Sequence, residues 1–207
     1  MDKHNVFFFD FDGTLVDSRE SLELVFKGAY NAVGVDVSPD YIVRLMRVQL
    51  QQGYKELNAP EDKIDIFASE IIRLLDDEEV LKKTKIFYDT IETLEGLYKA
   101  GKTLAIVTSN NRKHVGDVLR FLGIDEKLFS IVIGNQETKR HKPFPDPILK
   151  AIEELNVSRE GVCYVGDGLD DMTSSVAAGI DPILLDRRRE YDKESYSKIY
   201  SLKDLLD

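Results

Sequence analysis

Short apolar runs recur along this chain, and longer helical patterns separate most of them. The runs are NVFFF from residue 5, TLAIV from 103, SIVI from 130, GVCYV from 161 and PILL from 182. Each run has the length and composition of a buried β-strand. Strands that alternate with helices predict an α/β fold, with a mostly parallel sheet covered by helices on both faces. Ligands of such sheets bind beyond the carboxyl ends of the strands.

Two of the intervening helices are predicted with their ends. Between residues 90 and 100, apolar side chains recur at helical spacing, and Gly101 follows where a helix would stop. The same pattern predicts a helix over residues 112–122, which is again followed by a glycine, Gly123. Both helices would connect consecutive strands of the sheet.

Residues 17–85 interrupt the alternation, because they contain no strand pattern and show successive helical patterns instead. Asp17 and Glu20 have the spacing of a capping box, which predicts a helix start. Ser38 and Pro39 are typical of the start of a further helix. Apolar stripes at helical spacing support these helices: Leu22, Val25, Phe26, Ala29, Tyr30 and Val33, and later Ile64, Phe67, Ala68, Ile71 and Leu75.

The interruption predicts two domains. An α/β core domain would comprise residues 1–16 and 86–207, and a helical domain of residues 17–85 would be inserted into it. A chain of 207 residues with 43% hydrophobic content has enough apolar material to bury a core of this size.

Composition restricts the partners and the location of the protein. A net charge of -10, with acidic and basic residues interspersed, argues against a nucleic-acid partner, which normally requires a basic face. No apolar stretch is long enough for a signal peptide or a membrane span, which predicts a soluble protein. The single cysteine, Cys163, lies in an apolar run and cannot form an internal disulfide, so a reducing, cytoplasmic location is expected.

Four short segments follow one another at the predicted strand ends. They are DFDGTLVDS at residues 10–18, VTSN at 107–110, KP at 142–143 and GDGLDD at 166–171. In this order they resemble the motifs of the haloacid dehalogenase superfamily, and nearly the whole chain resembles its phosphoglycolate phosphatase-like branch. The resemblance implies a Rossmann-like parallel sheet with strand order 5-4-1-2-3 and a helical cap inserted just after the first motif.

The resemblance implies catalytic roles for residues of these segments. Asp10 would be the nucleophile that attacks phosphorus and forms an aspartyl-phosphate, and Asp12 would be the general acid and base. Gly13 would permit the tight turn that brings Asp12 to the same site. The Thr108 hydroxyl would donate to a phosphate oxygen, and Lys142 would neutralise charge between the phosphate and the nucleophile. Such residues suit a phosphate monoester, whose anionic oxygens repel a nucleophile.

The resemblance also implies a bound Mg²⁺ ion. Its ligands would be Asp10, the main-chain carbonyl of Asp12, and Asp167. Asp171 completes the predicted metal site, where it is expected to orient the ligands more than to bind the ion directly. Asp170 is given no role. Hard oxygen ligands gathered at one strand end suit Mg²⁺, which binds partly through water.

Substrate binding is predicted for Ser109 and Asn110, which are expected to open the helix after the second motif, where anions are attracted. For Ser109, simple helix capping is an equally good explanation. In the cap, Arg47 stands in LMRVQL where relatives often carry a glycine. We predict that Arg47, with Arg44, binds an anionic group of the substrate, because a guanidinium pairs well with a carboxylate or a second phosphate. The alternative is an arginine exposed to solvent.

One further departure from the family pattern precedes the helix at residue 90. Tyr88 and Asp89 stand where relatives commonly have Pro-Gly. Together with the substitution at Arg47, this argues against strict specificity for phosphoglycolate.

These features predict a Mg²⁺-dependent phosphatase that hydrolyses a small phosphomonoester, such as a phosphoglycolate-like, nucleotide or sugar phosphate. Asp12 argues against the dehalogenase branch, which has no phosphoester leaving group to protonate. Thr14 argues against the β-phosphoglucomutase branch, which typically has valine or isoleucine there. The alternatives are a sugar phosphomutase of the same superfamily and a catalytically silent binding or regulatory protein on this scaffold. The predicted partner is a small-molecule phosphate ester, without nucleic acid or membrane, and the protein is predicted to be a monomer or a homodimer.

Overall fold

The computed structural model describes residues 3–45 and 50–206 of the chain. Within these residues the chain forms two compact units. The first, the sheet unit, runs to Asp17 and resumes at Ile86, and the second, the helical unit, is Ser18–Lys85.

The strands are β1 (Val6–Phe9), β2 (Val16–Asp17), β3 (Lys85–Ile86), β4 (Thr103–Val107), β5 (Ile131–Ile133), β6 (Val162–Gly166), β7 (Asp181–Leu185) and β8 (Ser197–Ile199). In the described part of the chain, six of them form one parallel sheet in the order β5-β4-β1-β6-β7-β8, and β2 pairs with β3. Along the chain, β1, β4, β5, β6 and β7 are the first to fifth strands of this sheet, so the order read from β7 to β5 is 5-4-1-2-3. This confirms the predicted α/β fold and its strand order. β8 is an additional strand beside β7.

The helices are α1 (Arg19–Ala32), α2 (Pro39–Leu45), α3 (Leu50–Glu56), α4 (Ile64–Leu75), α5 (Glu78–Leu81), α6 (Thr90–Lys99), α7 (Arg112–Leu122), α8 (Asp146–Leu155) and α9 (Leu169–Ala178). Short 3-10 helices cover Glu61–Lys63, Glu126–Leu128 and Leu202–Leu205. The two helices predicted between strands are confirmed as α6 and α7. Gly101 and Gly123 follow them with positive φ angles, as a left-handed helix end requires. None of the helices in the described ranges has the length and apolar character that crossing a bilayer requires.

The sheet is built around β1, which pairs with β4 on one side and β6 on the other. The side chains of Phe7, Phe8 and Phe9 are completely buried. A strand with neighbours on both sides and covered faces has no solvent side, which explains why its sequence is a continuous apolar run and does not alternate. On one face, Phe8 and Tyr164 belong to a core that includes Ile148 and Ala151 of α8.

The helical unit has its own core of aromatic and aliphatic side chains. Tyr30 of α1, Tyr54 of α3 and Phe67 of α4 meet there, with the Phe67 ring centroid 4.7 Å from that of Tyr30 and 4.8 Å from that of Tyr54. The Tyr54 hydroxyl donates to the main-chain oxygen of Pro60 at 2.6 Å, so the one polar atom of that ring is satisfied. Three aromatic rings in contact give this small unit a defined centre.

One detail of the helical unit differs from the sequence prediction. The predicted capping box is wrong, because α1 begins at Arg19 after Ser18, and Glu20 forms ion pairs with Lys83 at 2.9 Å and Lys85 at 3.4 Å. Two ammonium groups close to one carboxylate compete successfully with a helix cap.

The apolar stripe of α4 is only partly buried. Phe67 is buried, whereas Ile64 and Ala68 are exposed. Helical periodicity correctly predicted the helix but not how much of each side chain the unit covers.

Candidate active site

The first segment leaves the sheet at the carboxyl end of β1 and turns sharply. The main-chain N–H of Asp10 donates to the carbonyl of Val165 at 2.9 Å, which continues the pairing with β6. Gly13 then adopts a φ of +82°, and a Cβ atom there would collide with the carboxylate of Asp167. Only glycine tolerates both this conformation and this close approach. The turn therefore brings the backbone at Gly13 against the carboxylate of Asp167.

Lys142 lies at the centre of the site and is buried. Its Nζ donates to Asp10 Oδ1 at 2.8 Å, to Asp171 Oδ1 at 2.6 Å and to the Tyr164 hydroxyl at 2.9 Å. Because an ammonium group has three N–H donors, all of them are used. The Tyr164 hydroxyl in turn donates to the main-chain oxygen of Val107 at 2.5 Å. This arrangement fixes the cation next to the carboxylate predicted to be the nucleophile.

Tyr164 was not identified from the sequence. It lies in the apolar run that forms β6, 22 residues from Lys142, and its ring contributes to the core. The available signal was chemical: a tyrosine in a fully buried strand needs a partner for its hydroxyl. Sequence alone could not indicate that this partner is Lys142.

Burial makes it unfavourable for the carboxyl groups around Lys142 to be ionised. Burial raises the pKa of Asp10 to about 8, although the Lys142 ammonium partly offsets the shift. Burial, reinforced by the charge of Asp171, raises the pKa of Asp167 to about 7. Burial also disfavours the charged form of Lys142, but Asp10 and Asp171 outweigh it and raise the pKa of Lys142 well above its usual value. Three carboxylates thus share one ammonium group, and a further cation would relieve the excess charge.

The donor set fits a magnesium ion. Asp10, Asp167 and Asp171 each offer a carboxylate oxygen, and these atoms lie within 4.8 Å of one another. All are hard oxygen donors, of the kind that Mg²⁺ prefers. Both oxygens of Asp171 already accept hydrogen bonds, from Lys142 and from the main-chain N–H of Gly168 at 3.1 Å. Asp171 is thereby held in place, which suits the orienting role predicted for it.

Asp12 lies on the same loop and makes a different contact. Its Oδ2 accepts a hydrogen bond from Asn110 Nδ2 at 3.0 Å. Its Oδ1 is buried and has no hydrogen-bond partner in the described part of the chain. A carboxylate held through one oxygen, with the other oxygen uncommitted, can exchange a proton without losing its position.

The second segment is arranged differently from the prediction. Thr108 is buried, and its Oγ1 accepts from the main-chain N–H of Asn110 at 3.1 Å. The expectation that Ser109 and Asn110 open the next helix is wrong, because α7 begins at Arg112 and its N-cap is Asn111. The Asn111 side chain accepts from a main-chain N–H of the first turn, as an N-cap does. The Asn110 amide is free of that task and binds Asp12 instead, while Ser109 is exposed.

Two cap residues, Arg44 and Arg47, are predicted to contact substrate. Arg47 lies outside the described residues. Arg44 Nη2 donates to Glu56 Oε2 at 3.2 Å, and the guanidinium lies over the Tyr41 ring. Arg44 therefore has partners within its own unit.

The chain is similar to known proteins in both sequence and fold. A family model described as haloacid dehalogenase-like hydrolase matches residues 7–185. The phosphoglycolate phosphatase of Escherichia coli (strain K12) is 30% identical over an alignment that covers 96% of this chain and 89% of that protein. A Caldanaerobacter subterraneus protein described as a pyrophosphatase is 32% identical, covering 83% of this chain and 77% of its own length. A Bacteroides fragilis crystal structure described as a haloacid dehalogenase-like hydrolase superposes with a TM-score of 0.87 at 28% identity, covering 98% of this chain and all of that chain.

Proposed function

We propose that this chain, which belongs to the haloacid dehalogenase-like hydrolase family, is a Mg²⁺-dependent phosphatase that cleaves a small phosphomonoester through an aspartyl-phosphate on Asp10. Its similarity to phosphoglycolate phosphatases groups it with the phosphatases of the family. The observation that carries the mechanism is the position of Lys142, whose ammonium group lies 2.8 Å from Asp10 Oδ1 and is buried with it. A cation fixed beside a carboxylate can counter the repulsion between that carboxylate and a phosphate dianion.

The chain's own residues account for two successive displacements at phosphorus. In the first, an Asp10 oxygen forms a bond to phosphorus while the bond to the ester oxygen breaks, and Asp12 gives its proton to the departing oxygen. In the second, Asp12 takes a proton from a water molecule whose oxygen bonds to phosphorus, and the bond from Asp10 to phosphorus breaks. Inorganic phosphate leaves, and both aspartates return to their starting states.

Asp10, Asp167 and the main-chain carbonyl of Asp12 would hold Mg²⁺, with Asp171 orienting them. When bound, the ion would supply positive charge to the phosphate oxygens and to the carboxylates. The raised pKa values of Asp10 and Asp167 support this proposal, because ionisation of a buried cluster requires a compensating cation.

We propose that the substrate is a small phosphate ester of the phosphoglycolate, nucleotide or sugar phosphate type. The relatives described above include a phosphoglycolate phosphatase and a protein described as a pyrophosphatase, so proteins similar to this chain are assigned different small phosphates as substrates. We also propose a cytoplasmic enzyme that works as a monomer or homodimer. Cys163 is the only cysteine of the sequence, so the chain has no internal disulfide that would need an oxidising compartment.

The test is phosphate release from a panel of phosphoglycolate, pyrophosphate, nucleoside monophosphates and sugar phosphates, with Mg²⁺ and with chelator. We expect Mg²⁺-dependent release that falls by a factor of at least about 10³ in Asp10→Asn, because the nucleophile is lost. Asp192→Asn, a change of the same type at an exposed position of the sheet unit, should retain full activity.

Other outcomes would favour the alternatives. Isomerised sugar phosphates without net phosphate release would indicate a phosphomutase. Absence of turnover for every panel member would favour a binding protein, and activity that survives Asp10→Asn would contradict the aspartyl-phosphate mechanism.

A further inference from the structure

A buried ion pair lies next to the first catalytic loop, which is the segment of residues 10–15 between β1 and β2. This pair has no part in the chemistry proposed above. Arg187 follows β7, and its guanidinium binds the Asp89 carboxylate through both oxygens, with Nη1 to Oδ2 at 2.8 Å and Nη2 to Oδ1 at 2.9 Å. Asp89 is completely buried. A two-point contact of this kind fixes the plane of the guanidinium as well as its distance.

Other contacts complete the surroundings of Asp89. Its Oδ2 also accepts from the Ser201 hydroxyl at 2.7 Å and from the main-chain N–H of Leu202 at 2.8 Å. Burial opposes ionisation of Asp89, but these hydrogen bonds together with Arg187 outweigh it, and the pKa of Asp89 lies below its usual value. The carboxylate is therefore a charged and well-satisfied anchor for Arg187.

Arg187 uses this anchor to reach the catalytic loop. Its Nη2 donates to the main-chain oxygen of Thr14 at 3.1 Å, and its guanidinium lies over the Phe87 ring, 4.0 Å from the centroid. Its Nε is buried without a hydrogen-bond partner among the described residues. The guanidinium is thus oriented toward Asp89 and Thr14, and this orientation leaves its Nε–H donor unsatisfied among the described residues. A buried pair is a weak source of net stability, so stability alone is a poor explanation for this arrangement.

The loop that Arg187 holds contains the proposed metal-binding peptide. Thr14 is fully buried, and its hydroxyl donates to Asp167 Oδ1 at 3.4 Å. The next carbonyl, that of Leu15, accepts from the Thr90 hydroxyl at 2.7 Å. Two successive carbonyls of the loop are therefore held by side chains from elsewhere in the sheet unit. A main-chain ligand such as the Asp12 carbonyl has no rotamer of its own, and only restraint of the surrounding peptides can aim it.

We propose that Arg187 is a positioning residue for the first catalytic loop. Locked by Asp89, it holds the Thr14 carbonyl and so keeps the Asp12 carbonyl and the Thr14 hydroxyl aimed at the magnesium site. This inference rests on the proposed function, because it concerns the same site.

The test compares Arg187→Lys and Asp89→Asn with wild type in the full-length protein. Lysine keeps the charge but loses the two-point contact, and asparagine keeps the shape but loses the charge of the anchor. We expect kcat to fall roughly 10- to 100-fold with little change in KM for the phosphate ester, and the Mg²⁺ dissociation constant measured by calorimetry to rise by a similar factor. Arg188→Lys, the same change at the neighbouring exposed arginine, should alter neither quantity.

Each outcome decides the matter, since calorimetry reports metal binding separately from catalysis. All measurements are made well below the melting temperature of each variant. The folded fraction of each variant is determined by circular dichroism, and each activity is divided by the concentration of folded protein. A Mg²⁺ dissociation constant within twofold of wild type in both variants would overturn the inference, whatever happens to their melting temperatures. If wild type itself releases no phosphate, the proposed function fails, whereas an active wild type with unaffected variants defeats only the role of Arg187.

Discussion

At the scale of single residues, Asn110 of the second motif has two possible roles, which are to bind substrate or to hold Asp12. The sequence predicts that Asn110 binds substrate, whereas in the structure its amide donates to Asp12 Oδ2 at 3.0 Å. We expect Asn110→Ala to lower kcat roughly 10- to 100-fold while KM changes little, because the general acid loses the group that holds it. Steady-state kinetics on the preferred phosphate ester measures both quantities.

The adjacent asparagine provides the control. Asn111 caps α7, so Asn111→Ala should reduce the free energy of unfolding by about 1 kcal/mol and leave kcat near the wild-type value. A raised KM with an unchanged kcat in Asn110→Ala would instead support the direct substrate contact that the sequence predicts.

Residue chemistry also explains which parts of the site could be predicted. The segments at residues 10–18, 142–143 and 166–171 contain Asp10, Lys142 and Asp167 in a recognisable order, and parallel strands bring their ends to one edge of the sheet. Arg187 and Asp89 are 98 residues apart and carry no motif. Their pairing depends on three-dimensional proximity alone, which no local pattern encodes.

At the scale of elements, the strands that could be predicted are those whose sequences are apolar runs. β1 is covered on both faces and has an unmistakable apolar run, whereas β8 at the sheet edge has three residues, of which only Ile199 is buried. The sequence of β8, Ser-Lys-Ile, has a single apolar residue and so leaves no hydrophobic pattern to detect.

The helical unit offers an element-scale test on α4. Phe67 packs against Tyr30 and Tyr54, so Phe67→Ala should reduce the free energy of unfolding of this unit by about 3–5 kcal/mol through the cavity it leaves. Hydrogen exchange should accelerate across the helical unit and remain unchanged in the central strands of the sheet unit.

Ile72 on the same helix serves as the matched control, because 60% of its surface is exposed. Ile72→Ala should change the free energy of unfolding by no more than about 0.5 kcal/mol. Equal losses for the two variants would contradict the aromatic core described here.

At the scale of the whole molecule, the acidic cluster couples folding to pH and to magnesium. Asp10 and Asp167 have pKa values of about 8 and about 7 in the fold, against 3.8 for an unperturbed aspartate. At pH values above 3.8 and below these raised pKa values, the two aspartates have lost their protons in the unfolded chain but retain them in the native state. Stability contributed by these two groups therefore falls as the pH rises from about 4 to about 8. Asp89 acts in the opposite sense, since its lowered pKa stabilises the native state above pH about 4 and loses that effect in acid.

Magnesium should reverse the loss at the alkaline end of this range. At pH 8 the ion binds carboxylates that are costly to ionise in its absence, whereas at pH 5 it must displace protons first. We therefore expect Mg²⁺ to raise the melting temperature more at pH 8 than at pH 5, as measured by calorimetric scans against KCl of equal ionic strength. Asp167→Asn should raise the melting temperature of the metal-free protein at pH 8 and reduce its response to Mg²⁺, because the substitution removes one uncompensated charge and one ligand together. A response to Mg²⁺ that is equal at both pH values, or that survives in Asp167→Asn, would mean that the ion acts elsewhere on a molecule of net charge -10.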